Sequence, residues 1–211
     1  MSPQQIDRFF RTLAKELKTP STVILTGAAA GSLLGHVRAS ADVDFAILTA
    51  RGGPARWHQV EAAIARVERL TKIQAQYAED IDRWSSISLL DYQRHTHRYR
   101  RFGSLDLRIL APPYWAIGKL SRYLPQDRED LVAVLKRHRL SADSLLRLWA
   151  RALRASPRSL ALTQFRDHIE DFLRAEGTRI WGRTFDAEAA TRRFRRALAT
   201  GSTRQARGAG S

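Results

Sequence analysis

The chain contains no cysteine. That excludes disulfides, thiolate zinc sites and a cysteine nucleophile, and it fits a reducing compartment, with the cytoplasm as the expected setting. No apolar stretch approaches the roughly 18 residues that span a bilayer, and residues 1–19 carry scattered charges in place of an uninterrupted apolar segment. Neither secretion nor membrane insertion is expected. Acidic residues are also scarce, 21 Asp and Glu against 36 Lys and Arg, for a formal net charge of +15. An excess of this size, not confined to a tail, points to an acidic partner: nucleic acid, nucleotide or an acidic protein. The bland alternative is a soluble basic surface. The five tryptophans recur at no constant spacing and read as packing residues, not as a base-stacking platform.

What is present alternates between strand and helix signals. Ser2, Pro3 and Gln5 open a helix whose Ile6, Phe9, Phe10, Leu13 and Leu17 share one face, and Pro20 stops it. The run Thr22-Val23-Ile24-Leu25-Thr26 ends on Gly27 as a buried strand does. A short helix over 28–34 closed by Gly35, and a strand over 42–48, follow. Gly52-Gly53-Pro54 opens a long helix with Trp57, Val60, Ile64, Val67 and Leu70 at helical spacing. Further strands are predicted at 73–77, 86–90 and 105–110, with a basic segment at 94–101. From Trp115 onward the pattern is helical, broken near Pro125, Pro157 and Gly182. The expected organisation is α/β: a small mixed sheet flanked by helices in a core over 1–140, a helical C-terminal region over 141–199, and a structureless tail over 200–211.

Residues two apart on a strand face the same way, so Asp42 and Asp44 project together. Paired carboxylates repel unless a cation sits between them, and Mg²⁺ (or Mn²⁺) suits such ligands together with phosphate oxygens and water. Asp106, on another predicted strand, is the candidate third carboxylate; three could hold two metal ions, one for an attacking hydroxyl and one for a leaving pyrophosphate. The strand-to-helix turn at Gly27 offers backbone N–H groups and the positive end of a helix dipole to phosphate.

These residues carry a family resemblance. LTGAAAGSLLGHVRASADVDFAI resembles the opening motif of the nucleotidyltransferase superfamily: a strand, a Gly-Gly or Gly-Ser turn, a helix, and Asp-x-Asp on the next strand. Two registers are open, with the turn at Gly27-Ala28 or at Gly31-Ser32. The first directly follows the strand and is preferred, and Arg38-x-Ser40-x-Asp42 is similar to the form found in abortive-infection-type nucleotidyltransferases. In that register Ala28 stands where the family usually has Gly or Ser, so a hydroxyl toward the triphosphate is missing, and Ser32, one helical turn on, is a candidate substitute. Downstream, YWAIGKL followed by Asp127-Arg128-Glu129-Asp130-Leu131 is similar to the helix pair of the same group, in which a lysine and a later aspartate lie beside the nucleotide. The resemblance, over about residues 20–135, implies that Lys119 contacts phosphate with Asp127 or Asp130 in support, that a nucleoside triphosphate is the substrate, and that the acceptor is a hydroxyl on RNA (tRNA-like) or protein. It also implies a toxin-like role of the toxin–antitoxin kind, with the partner left open.

Two other readings come from different classes: a non-catalytic binding module of the same fold, with Ala28 marking lost triphosphate chemistry, and a basic nucleic-acid-binding protein whose acidic pairs are fortuitous. Residues 141–211 hold 14 arginines, 7 acidic residues and no lysine. Arg147, Arg151 and Arg154 at helical spacing, and Arg192, Arg193, Arg195 and Arg196, are candidates for RNA phosphates or for a plain solvated face. His95-x-His97 lacks a third ligand at zinc spacing and reads as part of a basic loop.

Overall fold

The computed structural model describes residues 1–17, 19–35, 40–49 and 54–206. They divide into two compact units, Met1–Trp84 with Asp91–Ala111, and Ser85–Leu90 with Pro112–Ser211. Mixed character and helix content agree with the expected α/β class: among the described residues there are one five-stranded mixed sheet and eight α-helices.

The first unit opens on α1 (Pro3–Leu17), whose start is a reciprocal cap: Ser2 N–H donates to Gln5 Oε1 at 2.7 Å and Gln5 N–H to Ser2 Oγ at 3.3 Å. There follow β1 (Ser21–Thr26), α2 (Gly27–Leu34), β2 (Asp42–Thr49), α3 (Pro54–Thr71), β3 (Gln74–Ala78), β4 (Thr96–Phe102) and β5 (Leu105–Leu110). Strand order is β3-β2-β1-β5-β4. β1 pairs antiparallel with β2 and parallel with β5, β2 pairs parallel with β3, and β4–β5 is a hairpin.

Period-2 alternation sends Val23, Leu25, Val43, Phe45, Ile47, Leu105, Leu107 and Ile109 to one face, and all are buried. The apolar stripe of α1 supplies Ile6, Phe9, Phe10 and Leu13 to this core, with Phe10 edge-on to Phe45 at 5.3 Å. Each such side chain contributes roughly 1.5–3 kcal/mol by leaving water. The opposite face is mixed: Thr22 and Thr26 on β1, Asp42 and Asp44 on β2, and Asp106 and Arg108 on β5 are partly exposed there, while Ile24 and Ala46 between them are buried.

Two local expectations change. The segment 86–90 is not a strand, because its serines satisfy nearby backbone themselves: Ile87 N–H donates to Ser85 Oγ at 3.3 Å and Leu90 N–H to Ser88 Oγ at 3.1 Å. The basic segment, read as a loop, is largely the edge strand β4, where exposed arginines keep an open edge charged.

In the second unit are α4 (Pro112–Arg122), α5 (Pro125–Arg137), α6 (Ala142–Ala155), α7 (Leu160–Trp181) and α8 (Ala187–Ala206). The boundary therefore falls at Ala111, not near 140. The reason is packing: α4 and α5 bury Trp115, Ile117, Leu120, Leu131 and Leu135 within a helical core shared with Phe165, Ile169 and Phe172 of α7, and α5 is pinned to α7 by Arg128–Glu176 at 2.8 Å. Pro125 sits in the first turn of α5, where its missing N–H costs nothing, and Gly182 ends α7. Helix α8 continues to Ala206, beyond the start of the expected tail at 200, with Thr200 returning its hydroxyl to Arg196 O inside the helix. Residues 207–211 lie outside the described residues. Among the described residues no helix is long and apolar enough to cross a membrane.

Candidate active site

At the C-terminal end of β1 the chain turns directly into α2. Gly27 takes φ +62°, and Gly31 lies buried inside the helix, so the turn is at Gly27-Ala28. Gly35, at φ +110°, closes α2 by donating its N–H to Gly31 O at 3.1 Å. Antiparallel pairing sets Thr26 opposite Asp44. The carboxylate of Asp44 folds against Gly27: a Cβ at that position would lie 1.8 Å from Asp44 Oδ2. Asp42, two residues earlier on the same face, accepts Ser40 Oγ–H at 3.2 Å and Gln76 Nε2–H at 2.6 Å. Two carboxylates, a close backbone approach and a helix N-terminus thus meet in one place.

Gln76 was not anticipated. The signal was the alternating Gln74-x-Gln76, since β3 pairs parallel with β2 and Gln76 stands beside Asp44 in register. Ser40 is buried and also donates to the Asp42 carbonyl at 2.6 Å, so its role is to shape the entry to β2. Ser32 donates its hydroxyl to Ala29 O at 2.8 Å, within its own helix, and does not replace the hydroxyl missing at the buried Ala28. Arg38, expected to approach the nucleotide, lies outside the described residues.

Asp106 requires a correction. It shares the face of Asp42 and Asp44, because it pairs with Thr22 and Thr22 has the same phase as Thr26. Its position along the strand is wrong for a shared metal. Asp106 is level with Thr22 and Asp44 with Thr26, an offset of four residues or roughly 13 Å, and β1 lies between them, adding roughly 9.5 Å across. Carboxylates so far apart cannot bridge one ion. Asp106 instead accepts Arg98 Nε–H at 3.1 Å and Arg108 Nη1–H at 3.2 Å. The β5 residue next to the Asp44 level is the apolar Leu110.

Lys119, Asp127 and Asp130 do come together, within the second unit. Lys119 is 2% exposed, and its Nζ donates to Asp127 Oδ1 at 2.8 Å and Asp130 Oδ2 at 2.6 Å beneath the Trp115 ring, 5.3 Å away. Arg122 adds a fork onto Asp127, at 2.8 Å for each bond. Burial pushes the Asp127 carboxyl up, but the hydrogen bonds from Arg122 and Lys119 outweigh it and hold it below the ordinary carboxylate range. Asp127 further accepts Leu124 N–H at 3.3 Å at the start of α5. A lysine enclosed by two carboxylates staples α4 to α5, and Asp127 and Asp130 stand beside Lys119 as the sequence expectation grouped them.

The C-terminal arginines are partly committed as well. Arg195 clasps the buried Glu170 with two bonds, and Arg193 pairs with Asp143 at 3.0 Å. His95 lies against Asp91 at 3.3 Å, and His97 is on β4 paired with Ile109, so the two histidines do not form a ligand pair.

Comparison with protein-family models, with curated proteins and with solved structures finds no match to this chain.

Proposed function

We propose that the β1–Gly27–α2–β2 module binds a nucleoside triphosphate with one divalent cation and serves nucleotidyl transfer to a hydroxyl acceptor, the activity that the nucleotidyltransferase resemblance implies. The observation that carries this reading is the contact of Asp44 with Gly27. It puts a hard carboxylate against the glycine that opens α2, beside that helix's N-terminal backbone N–H groups.

The residues fit a single Mg²⁺: Asp42 and Asp44 are same-face carboxylates, and such an ion takes one or two of these with phosphate and water completing its shell. When bound, the ion would neutralise phosphate charge and polarise the phosphorus centre. The protein's own residues do the rest. Gln76 and Ser40 orient the Asp42 carboxylate, and the N-terminus of α2 faces anionic phosphate with its positive dipole end. In the transfer, the acceptor oxygen bonds the α-phosphorus as the bond to pyrophosphate breaks, and the hydroxyl proton leaves to water.

Two observations favour a second reading, a binding module without catalysis: Asp106 is held by two arginines four residues along the strands from Asp44, and Ala28 provides no hydroxyl. Calorimetric titration of a non-hydrolysable nucleoside triphosphate, with and without Mg²⁺, tests the shared premise. Mg²⁺-dependent binding abolished by Asp42→Asn and Asp44→Asn is expected; wild-type binding indifferent to Mg²⁺ would overturn it. Pyrophosphate release with RNA or protein acceptors then separates transferase from module.

A further inference from the structure

The arginines that hold Asp106 form a site of their own. A cleft of about 450 Å³ opens where β1, β2, β4 and β5 meet, with Arg98, Arg101, Arg108, Asp106, Thr22 and Ser104 in its wall. Its charged lining is three guanidinium groups against one carboxylate, a local charge of +2. Arg98 and Arg108 stand directly opposite each other across the β4–β5 hairpin, a like-charge pair that is unfavourable without an anion. Asp106 supplies one, bonding both. Charge for a second anion remains.

The guanidinium groups are also oriented beforehand. Arg108 Nε donates to Thr96 Oγ1 at 2.6 Å, Arg98 Nε to Asp106 at 3.1 Å and Arg101 Nε to Gly103 O at 3.0 Å. Arginine forks held in place match the oxygen geometry of phosphate, and little side-chain entropy is lost when one binds. A metal ion is the wrong occupant, since both Asp106 oxygens already accept from guanidinium.

We propose that this cleft seats the backbone phosphates of a single-stranded nucleic acid. Size selects a strand over a lone phosphate. The volume equals on the order of fifteen waters at about 30 Å³ each, which one phosphate leaves mostly unfilled. Position supports it too, for the cleft borders the edge strand β4, where His97, Arg98 and Arg101 are exposed in sequence, and a net charge of +15 steers polyanions toward the chain. The cleft lies on the sheet face of Asp42 and Asp44, offset by roughly 13 Å along the strands. An RNA strand seated here is placed to present its terminal hydroxyl to that pair; this acceptor role rests on the reading under Proposed function, whereas the binding itself does not.

The test measures binding without nucleotide or Mg²⁺, so it stands or falls apart from the transferase reading. Anisotropy of a labelled single-stranded RNA, taken over a salt series, is compared for wild type, Arg98→Ala/Arg101→Ala and Asp106→Asn. With two phosphates engaged, the double variant should lose about 1.4 from the magnitude of the log–log salt slope, at about 0.7 per phosphate on a single strand. Affinity at low salt should drop at least tenfold. Asp106→Asn, which removes the one negative charge in the cleft, should tighten binding several-fold. A variant with the same charge loss elsewhere, at the exposed Arg158 and Arg183, should leave the slope close to wild type. Should the double alanine variant fail to fold, Arg98→Lys/Arg101→Lys keeps the charge, removes the forks and should weaken RNA binding while the slope persists. The proposal is overturned by an unchanged slope, by equal loss in the Arg158 and Arg183 control, or by weaker binding in Asp106→Asn. It is equally overturned if the variants affect only inorganic phosphate or a free mononucleotide, added as competitors, with RNA binding intact.

Discussion

Asp44 Oδ2 occupies the space that a side chain on residue 27 would need, 1.8 Å from where its Cβ would stand. Gly27 therefore serves two requirements at once, the left-handed φ of +62° and room for the carboxylate.

Replacing Gly27 with Ala should strain the turn by about 1–2 kcal/mol from backbone conformation alone and push Asp44 aside. We expect a lower melting temperature and at least a tenfold loss of Mg²⁺-dependent nucleotide affinity. Wild-type affinity in a folded Gly27→Ala protein would mean that this contact is not part of the site.

Asp106→Asn should leave Mg²⁺-dependent nucleotide binding within about twofold of wild type, whereas Asp44→Asn, which removes a metal-facing carboxylate, should abolish it. Calorimetry on the two variants side by side checks this. Equal losses would return Asp106 to the metal site despite the register.

Lys119→Met should destabilise the helical unit by about 3–5 kcal/mol, because it removes the buried cation that Asp127 and Asp130 share. The staple also sets an acid limit. The Asp127 carboxyl is depressed below its ordinary value of 3.8, so its stabilisation is complete above that value and drains away as pH falls through the depressed one. Urea melts over the acid range should show this limb in wild type and a weaker one in Asp127→Asn. A Lys119→Met protein of undiminished stability that binds nucleotide poorly would support the phosphate-contact role.

Arg195→Ala should lower the melting temperature, since it strips both bonds from the buried Glu170, yet leave the salt dependence of RNA binding nearly unaltered. A flattened salt slope with no thermal change would instead make the α8 arginines an RNA surface.

Much of the site could be read from residues alone, and the limits of that reading are physical. The pleat of a strand is local, so Asp42 and Asp44 had to share a face whatever surrounded them. Gly27 after a β-branched run, and Gly35 eight residues further on, bracketed α2 for the same reason: φ preferences act one residue at a time. The serine-rich stretch 85–88 shows where such reasoning slips, since its apolar residues suggest a strand while its hydroxyls take over the backbone bonds a ladder would use.

What connects distant segments was decided by the tertiary structure. Strand phase put Asp106 on the right face, but only the β1–β5 register, set by which apolar residues of β5 fill the core beside β1, placed it level with Thr22 and beside Arg98 and Arg108. Likewise, the spacing of Lys119, Asp127 and Asp130 brought them onto adjoining helices, and burial then turned the lysine from a surface cation into a staple. Pleat, turn and helix period belong to neighbours along the chain; register and burial belong to contacts across it, which no single stretch of sequence contains.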